Sequence, residues 1–271
     1  MHLMRRRVQR PVDGSLWGPA RLLVVAVVSA MVALAVLAGA VLVVVAALTD
    51  DDPAGGGRPS RPTAPSIEPS RQDALAAAPM PTAEPDDALP GPLSTRVPEV
   101  IELPRPTGTG PAIVPTGFPQ TPEGALAQLA AIDVTAMGTA SLDGVRQVVT
   151  DWAAPGGPTP QTWSGVRVMA DLLSAAGVSG VGSPQLSVVV RPVMGLVKGT
   201  VGPDFAVVCV DLEFTVTAAQ TARAAVADCQ RMTWAGDRWL IGAGPEPAPA
   251  PSVWPGTEAA ITAGFRELRY A

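Results

Sequence analysis

The stretch Phe205-Ala-Val-Val-Cys-Val-Asp-Leu-Glu-Phe-Thr-Val-Thr217 reads as one long β-strand. Val208, Val210, Leu212, Phe214 and Val216 fall on one face. Cys209, Asp211, Glu213 and Thr215 fall on the other, which is the period-two pattern of a strand. Arg223 to Trp234 returns beside it, Gly236-Asp237 makes a hairpin turn, and Arg238 to Ile241 is a last short strand. Upstream, Leu186 to Arg191 and Leu196 to Val201 are strand segments separated by Pro192 and Gly195, which point to a bulge or an edge. Gly202-Pro203-Asp204 then turns the chain into Phe205.

A hairpin turn centred near Ala219 places Cys209 opposite Cys229, on a shared face. Near-register spacing on one face is what a cross-strand disulfide needs. The alternative is two separate reduced thiols after a register slip. Metal binding is not expected, because two cysteines without a histidine leave too few ligands.

Before the strands come helices. Thr121-Pro122-Glu123 is a helix start, with a threonine cap, proline in the first turn and an acid at the positive end. Leu126, Leu129, Ile132, Ala136 and Met137 follow at helical spacing. Ser141 caps a second helix carrying Val145, Val148, Val149 and Trp152, and Pro155-Gly-Gly-Pro158 ends it. Thr159-Pro160-Gln161 repeats the start signal ahead of Trp163, Val166, Ala170 and Leu173, and Gly177 closes that helix. After a Pro-Ala loop from Gly242 to Pro251, a final helix is expected near Thr257 to Leu268. This order predicts an α+β domain over 115–271: about three helices packed on a curved antiparallel sheet of four to five strands, plus a C-terminal helix.

Residues 49–114 are rich in Pro, Ala, Ser, Thr and Gly and show no apolar periodicity. They read as a disordered, partly polyproline linker. Leu22 to Leu48 carries no charge and exceeds the roughly 20 apolar residues that span a bilayer, so 22–48 is read as a transmembrane helix. Arg5, Arg6, Arg7, Arg10 and Arg21 precede it, and Asp50, Asp51 and Asp52 follow. Positive charge stays inside, so 1–21 is a cytoplasmic basic tail and everything after Thr49 is extracytoplasmic. A cleaved signal peptide is the rival reading; its apolar core is usually about 7–15 residues, and this run is longer. An oxidising compartment permits the disulfide.

The net charge is −5, and the part beyond the run is acidic throughout. It has no basic stripe to follow a phosphate backbone, so direct nucleic-acid binding is not expected. The only histidine, His2, lies in the basic tail, which rules out a histidine-dependent triad, metal site or general base in the outer domain. A single lysine, Lys198, among many arginines points to a GC-rich genome such as an actinobacterium. No phosphate-binding, dinucleotide, nucleophile-elbow or zinc motif is present. Asp211, Glu213 and Asp228 cluster in one hairpin. Asp228 lies opposite Val210 on the apolar face, where burial would raise its pKa and suit it to act as a base. The blander reading is that these acids are solvated, or that Asp228 pairs with Arg231 or a backbone amide. The tryptophans from Trp152 onward are spaced as core and rim anchors rather than as a ligand cage.

Three stretches together carry a resemblance: Gly117-Phe-Pro-Gln-Thr-Pro-Glu-Gly-Ala-Leu-Ala-Gln-Leu-Ala-Ala-Ile-Asp133, Trp152-Ala-Ala-Pro-Gly-Gly-Pro158, and Asp228-Cys-Gln-Arg-Met-Thr-Trp234 with the Trp254-Pro-Gly256 ending. The chain resembles actinobacterial single-pass integral membrane proteins whose genes lie with conjugative or integrative-element transfer genes. More loosely it is similar to the TcpC-like bitopic assembly factors of type IV secretion, whose outer domains are nuclear-transport-factor-2-like cones. Those folds usually end in strands, whereas a terminal helix is expected here. The resemblance implies a non-enzymatic bitopic scaffold in the cell membrane, with other membrane or secretion-channel proteins as its partners and a homo-oligomer as a further option. It carries over no catalytic, cofactor or metal residues. The alternatives are an extracytoplasmic module binding a lipid or cell-wall fragment, and an isomerase- or dehydratase-like enzyme using Asp228.

Overall fold

The computed structural model describes residues 70–180 and 182–271. The basic tail, the apolar run 22–48 and the first part of the expected linker lie outside these residues. Among the described residues no helix is long and apolar enough to cross a membrane.

The domain is a mixed α+β structure. Its elements are α1 (Arg71–Ala77), β1 (Val100–Leu103), β2 (Gly108–Thr109), β3 (Pro115–Thr116), α2 (Pro122–Gly138), α3 (Leu142–Trp152) and α4 (Ser164–Ala175), followed by β4 (Ser187–Thr200), β5 (Phe205–Thr217), β6 (Thr221–Trp234), β7 (Trp239–Ile241), α5 (Glu258–Thr262) and β8 (Arg266–Tyr270). The main sheet has six strands in the order β1-β8-β4-β5-β6-β7, and β2 and β3 form a separate small ladder.

The β5–β6 hairpin follows the expected register, with Cys209 opposite Cys229 and Val210 opposite Asp228. The two expected segments of β4 are one strand, bent by register shifts between Pro192 and Met194 and between Val197 and Gly199. Thr121 and Ser141 cap α2 and α3 as read, their hydroxyls accepting from the amides of Gly124 and Gly144. The third helix begins at Ser164, about a turn later than its sequence signal, because Thr159–Thr162 forms a hydrogen-bonded turn instead.

The even-numbered residues Val208, Val210, Leu212 and Phe214 face the helices and join Leu126, Leu129 and Ile132 in the main core. Helix α2 is buried nearly all round, because β3 and α3 cover the sides that the sheet does not. Its buried Gln128 is satisfied: the side-chain amide donates to Pro115 O (3.0 Å), and its oxygen accepts from the Thr116 hydroxyl (2.8 Å).

Two expectations are corrected. Residues 70–114, assigned to the disordered linker 49–114, are folded onto the domain. Helix α1 lies on β4 and β5, with Ala76 packed beside Phe205 and Val207. Lys198 Nζ donates to the carbonyls of Ala76 (3.0 Å) and Ala78 at the end of that helix. Arg231, with a side chain only 6% exposed, bridges Asp73 (2.8 Å) and Pro245 O (2.8 Å). Further on, Val100–Leu103 adds a strand to the sheet.

The second correction concerns the C-terminal helix expected to reach Leu268. It stops after one turn at Ala263, because Gly264 takes a left-handed conformation (φ +92°) that ends it. Residues Arg266–Tyr270 then become β8, parallel to β1 and touching β4 at Met194 and Gly195. The described chain therefore ends in a strand, and the sheet is wider than the four to five strands expected.

Candidate functional site

The odd-numbered face of β5 is covered by a strap built from α1, the loop after β7 and α5. Cys209 and Cys229 sit under it with Met194, Val253, Ala260 and Phe265. Their sulfurs are 1.98 Å apart, at disulfide distance. Asp211, expected as a solvated strand-face acid, is fully buried under the same strap. Neither of its oxygens has a hydrogen-bond partner among the described residues. Burial pushes its carboxyl well above the usual range, and the nearby Val253 amide opposes this only in part. Glu213, further along the strand, pairs with Arg223 at 2.6 Å.

On the helical face the structure gathers a group that sequence reasoning saw only in part. Asp228 of β6 points towards α2 and α4, into a cavity of about 50 Å³ lined by Asp133, Ser164, Leu212, Phe214 and Val226. It does not pair with Arg231, which lies on the opposite face of the strand and is held by Asp73 and Pro245. Instead Gln230 Nε2 donates to both Asp228 oxygens (2.9 and 3.1 Å). Glu246 accepts from the backbone amide (2.8 Å) and hydroxyl (3.0 Å) of Ser164, capping the positive end of α4 with a carboxylate.

Burial, and then the charge of Glu246, raises Asp228 to about 7, against the opposing hydrogen bonds from Gln230, the Cys229 amide and Ser164. Asp133 is 1% exposed, and its Oδ2 has no hydrogen-bond partner among the described residues. Burial, and then the charge of Asp228, drives it well above the usual range. Burial thus disfavours the ionised form of both carboxyls, and the charge of Asp228 adds to this at Asp133. Asp133 lies in the stretch quoted above from α2, but nothing in its helical spacing marks it as facing Asp228.

The arrangement can store or pass a proton. Among the described residues no group of three His, Cys, Asp or Glu is placed to hold a metal ion. The tryptophans from Trp152 onward serve packing. Trp152, Trp163 and Trp239 are buried, and Trp234 meets Trp239 edge-on at 5.4 Å. No family model, curated protein or solved structure matches this chain.

Proposed function

We propose that the protein is a non-enzymatic bitopic scaffold of a conjugation or type IV-like secretion apparatus. Leu22–Leu48 anchors it in the cell membrane with the basic tail inside, and a nuclear-transport-factor-2-like cone stands outside and works through protein–protein contacts. The observation that carries this is how completely the chain fills its own interior. Helices cover one face of the sheet, and the strap covers the other around Phe205, Cys209 and Cys229. The space between helices and sheet shrinks to about 50 Å³, against roughly 300–1,000 Å³ for pockets that hold small molecules. A lipid or cell-wall fragment has no room there, and the larger space of about 440 Å³ beside Thr139, Ala140 and Ser187 is an open groove at the sheet edge rather than an enclosed pocket, so recognition falls to the outer surface and the sheet edges.

In-cell crosslinking of the full-length protein, followed by detergent extraction and mass spectrometry, tests this reading. Recovery of a transfer ATPase or a channel subunit is expected. Recovery of the protein alone from cells with active transfer would overturn it. The Asp133–Asp228 pair favours a second reading, proton-transfer chemistry on a very small substrate. An Asp228→Asn variant with unchanged transfer would dispose of that one.

A further inference from the structure

We propose that the outer edge of β4 over Ser187–Arg191 is a self-association surface, taken by the same edge of a second copy. The proposal rests on the scaffold reading in that it assigns one of the surface contacts which that reading requires. Strand β4 pairs with β5 along its whole length, but on its other side only Met194 and Gly195 meet β8. From Ser187 to Arg191 no described residue pairs with that side, so alternate backbone N–H and C=O groups point outward. Ordinary proteins guard such edges with proline, lysine, inward charges or bulges. Here the guards begin only at Pro192, where the register shifts. The open stretch is Ser187-Val-Val-Val-Arg191. Val188 and Val190 are buried against the helical layer, while Val189 is 51% exposed. A groove of about 440 Å³ opens beside the first residues of the strand, between them and Thr139–Ala140 at the end of α2. It leaves room for another backbone to approach.

The residues fit a second copy. Antiparallel pairing about Val189 sets Val189 against its own equivalent, Val188 against Val190, and Ser187 against Arg191. The only charge on the stretch therefore faces a hydroxyl, and no like charges are opposed. The operation is a two-fold axis, the commonest symmetry of soluble oligomers. It joins two six-stranded sheets into one and covers both copies of Val189.

The test uses the full chain in detergent. Sedimentation should give a dimer. Val189→Lys, at a half-exposed position the fold tolerates, should raise the dimer dissociation constant at least tenfold. Val189→Cys should yield a covalent dimer under oxidation, while Val97→Cys, at a 90% exposed position away from β4, should not. A monomer at tens of micromolar, a dimer indifferent to Val189→Lys, or a Val189→Cys protein that forms no dimer would each overturn the proposal. So would a Val189→Cys protein that crosslinks to a channel subunit instead, because a partner's strand would then hold the edge. A dimer recovered without channel subunits would sink the scaffold reading alone. Channel subunits recovered with a monomer would sink the dimer alone.

Discussion

Replacing Asp228 with asparagine removes a titrating group from the cavity floor and keeps one oxygen for Gln230 Nε2. In the folded protein the Asp228 carboxyl is held at about 7 against an ordinary 3.8. A folded-state pKa above the unfolded one means that the folded form binds the proton more tightly. The associated stability is therefore complete below about pH 4, falls as pH rises towards 7, and is flat above that. About three pH units at about 1.4 kcal/mol per unit give at most about 4 kcal/mol lost across the window. Asp133 adds in the same direction, since its shift has the same sign. The assay is urea unfolding of the oxidised protein followed by tryptophan fluorescence, from pH 4 to pH 8, for wild type and variant. The stability of Asp228→Asn relative to wild type should improve steadily from pH 4 to 7, by up to about 4 kcal/mol, and then level off. A relative stability that does not change across the range would show that the carboxyl is not held protonated, and would refute the reasoning.

Other outcomes follow from the same packing. The Cys209→Ala/Cys229→Ala double variant should lose about 3 kcal/mol, the loop-closure value for a crosslink spanning 20 residues, read as a lower urea midpoint. Lys198→Met keeps an apolar stem but withdraws the donor from Ala76 and Ala78, so hydrogen exchange over Arg71–Ala77 should quicken while that of β5 stays unchanged. Gly110→Ala would place its Cβ about 2.6 Å from the Trp152 ring. It should cost about 1–3 kcal/mol by displacing the ring and breaking the Trp152 Nε1 donation to Pro111 O. Asp73 is held below its usual pKa by the Ser70 hydroxyl and then by Arg231. The contribution of that contact is present above the ordinary 3.8 and is lost as pH falls below it, so α1 should become protease-sensitive in acid before the sheet does.

What could be read from the sequence was local and periodic. The caps at Thr121 and Ser141 are short-range chemistry and lie where they were expected. The β5–β6 register is fixed by a tight turn and one apolar face, and both are written in consecutive residues. The strap was not legible, because proline-rich sequence with scattered Leu75, Ala76 and Met80 has no period to betray docking. One hint was present: Phe205 to Val210 is apolar on both faces, which signals a strand covered on both sides. The same oversight made Asp211 look like a surface acid. Gly264 could have marked the end of α5, but the stripe Ile261, Phe265, Leu268 also satisfies a helix, and only the edge offered by β1 decides for a strand. Asp133 escaped notice because facing Asp228 is a property of packing between α2 and β6, not of either segment.

Strand β1 pairs in parallel with β8, with Val100 beside Glu267. Among the described residues, the first strand to be synthesised thus waits for β8. No described residue between them offers β1 its ladder, so this edge of the sheet can close only when residues up to Tyr270 have left the ribosome. The central hairpin, by contrast, is complete at Trp234. Assembly should therefore proceed from the middle outward, with the flanks joining late, and loss of even the final five-residue strand would leave β1 exposed and unpaired.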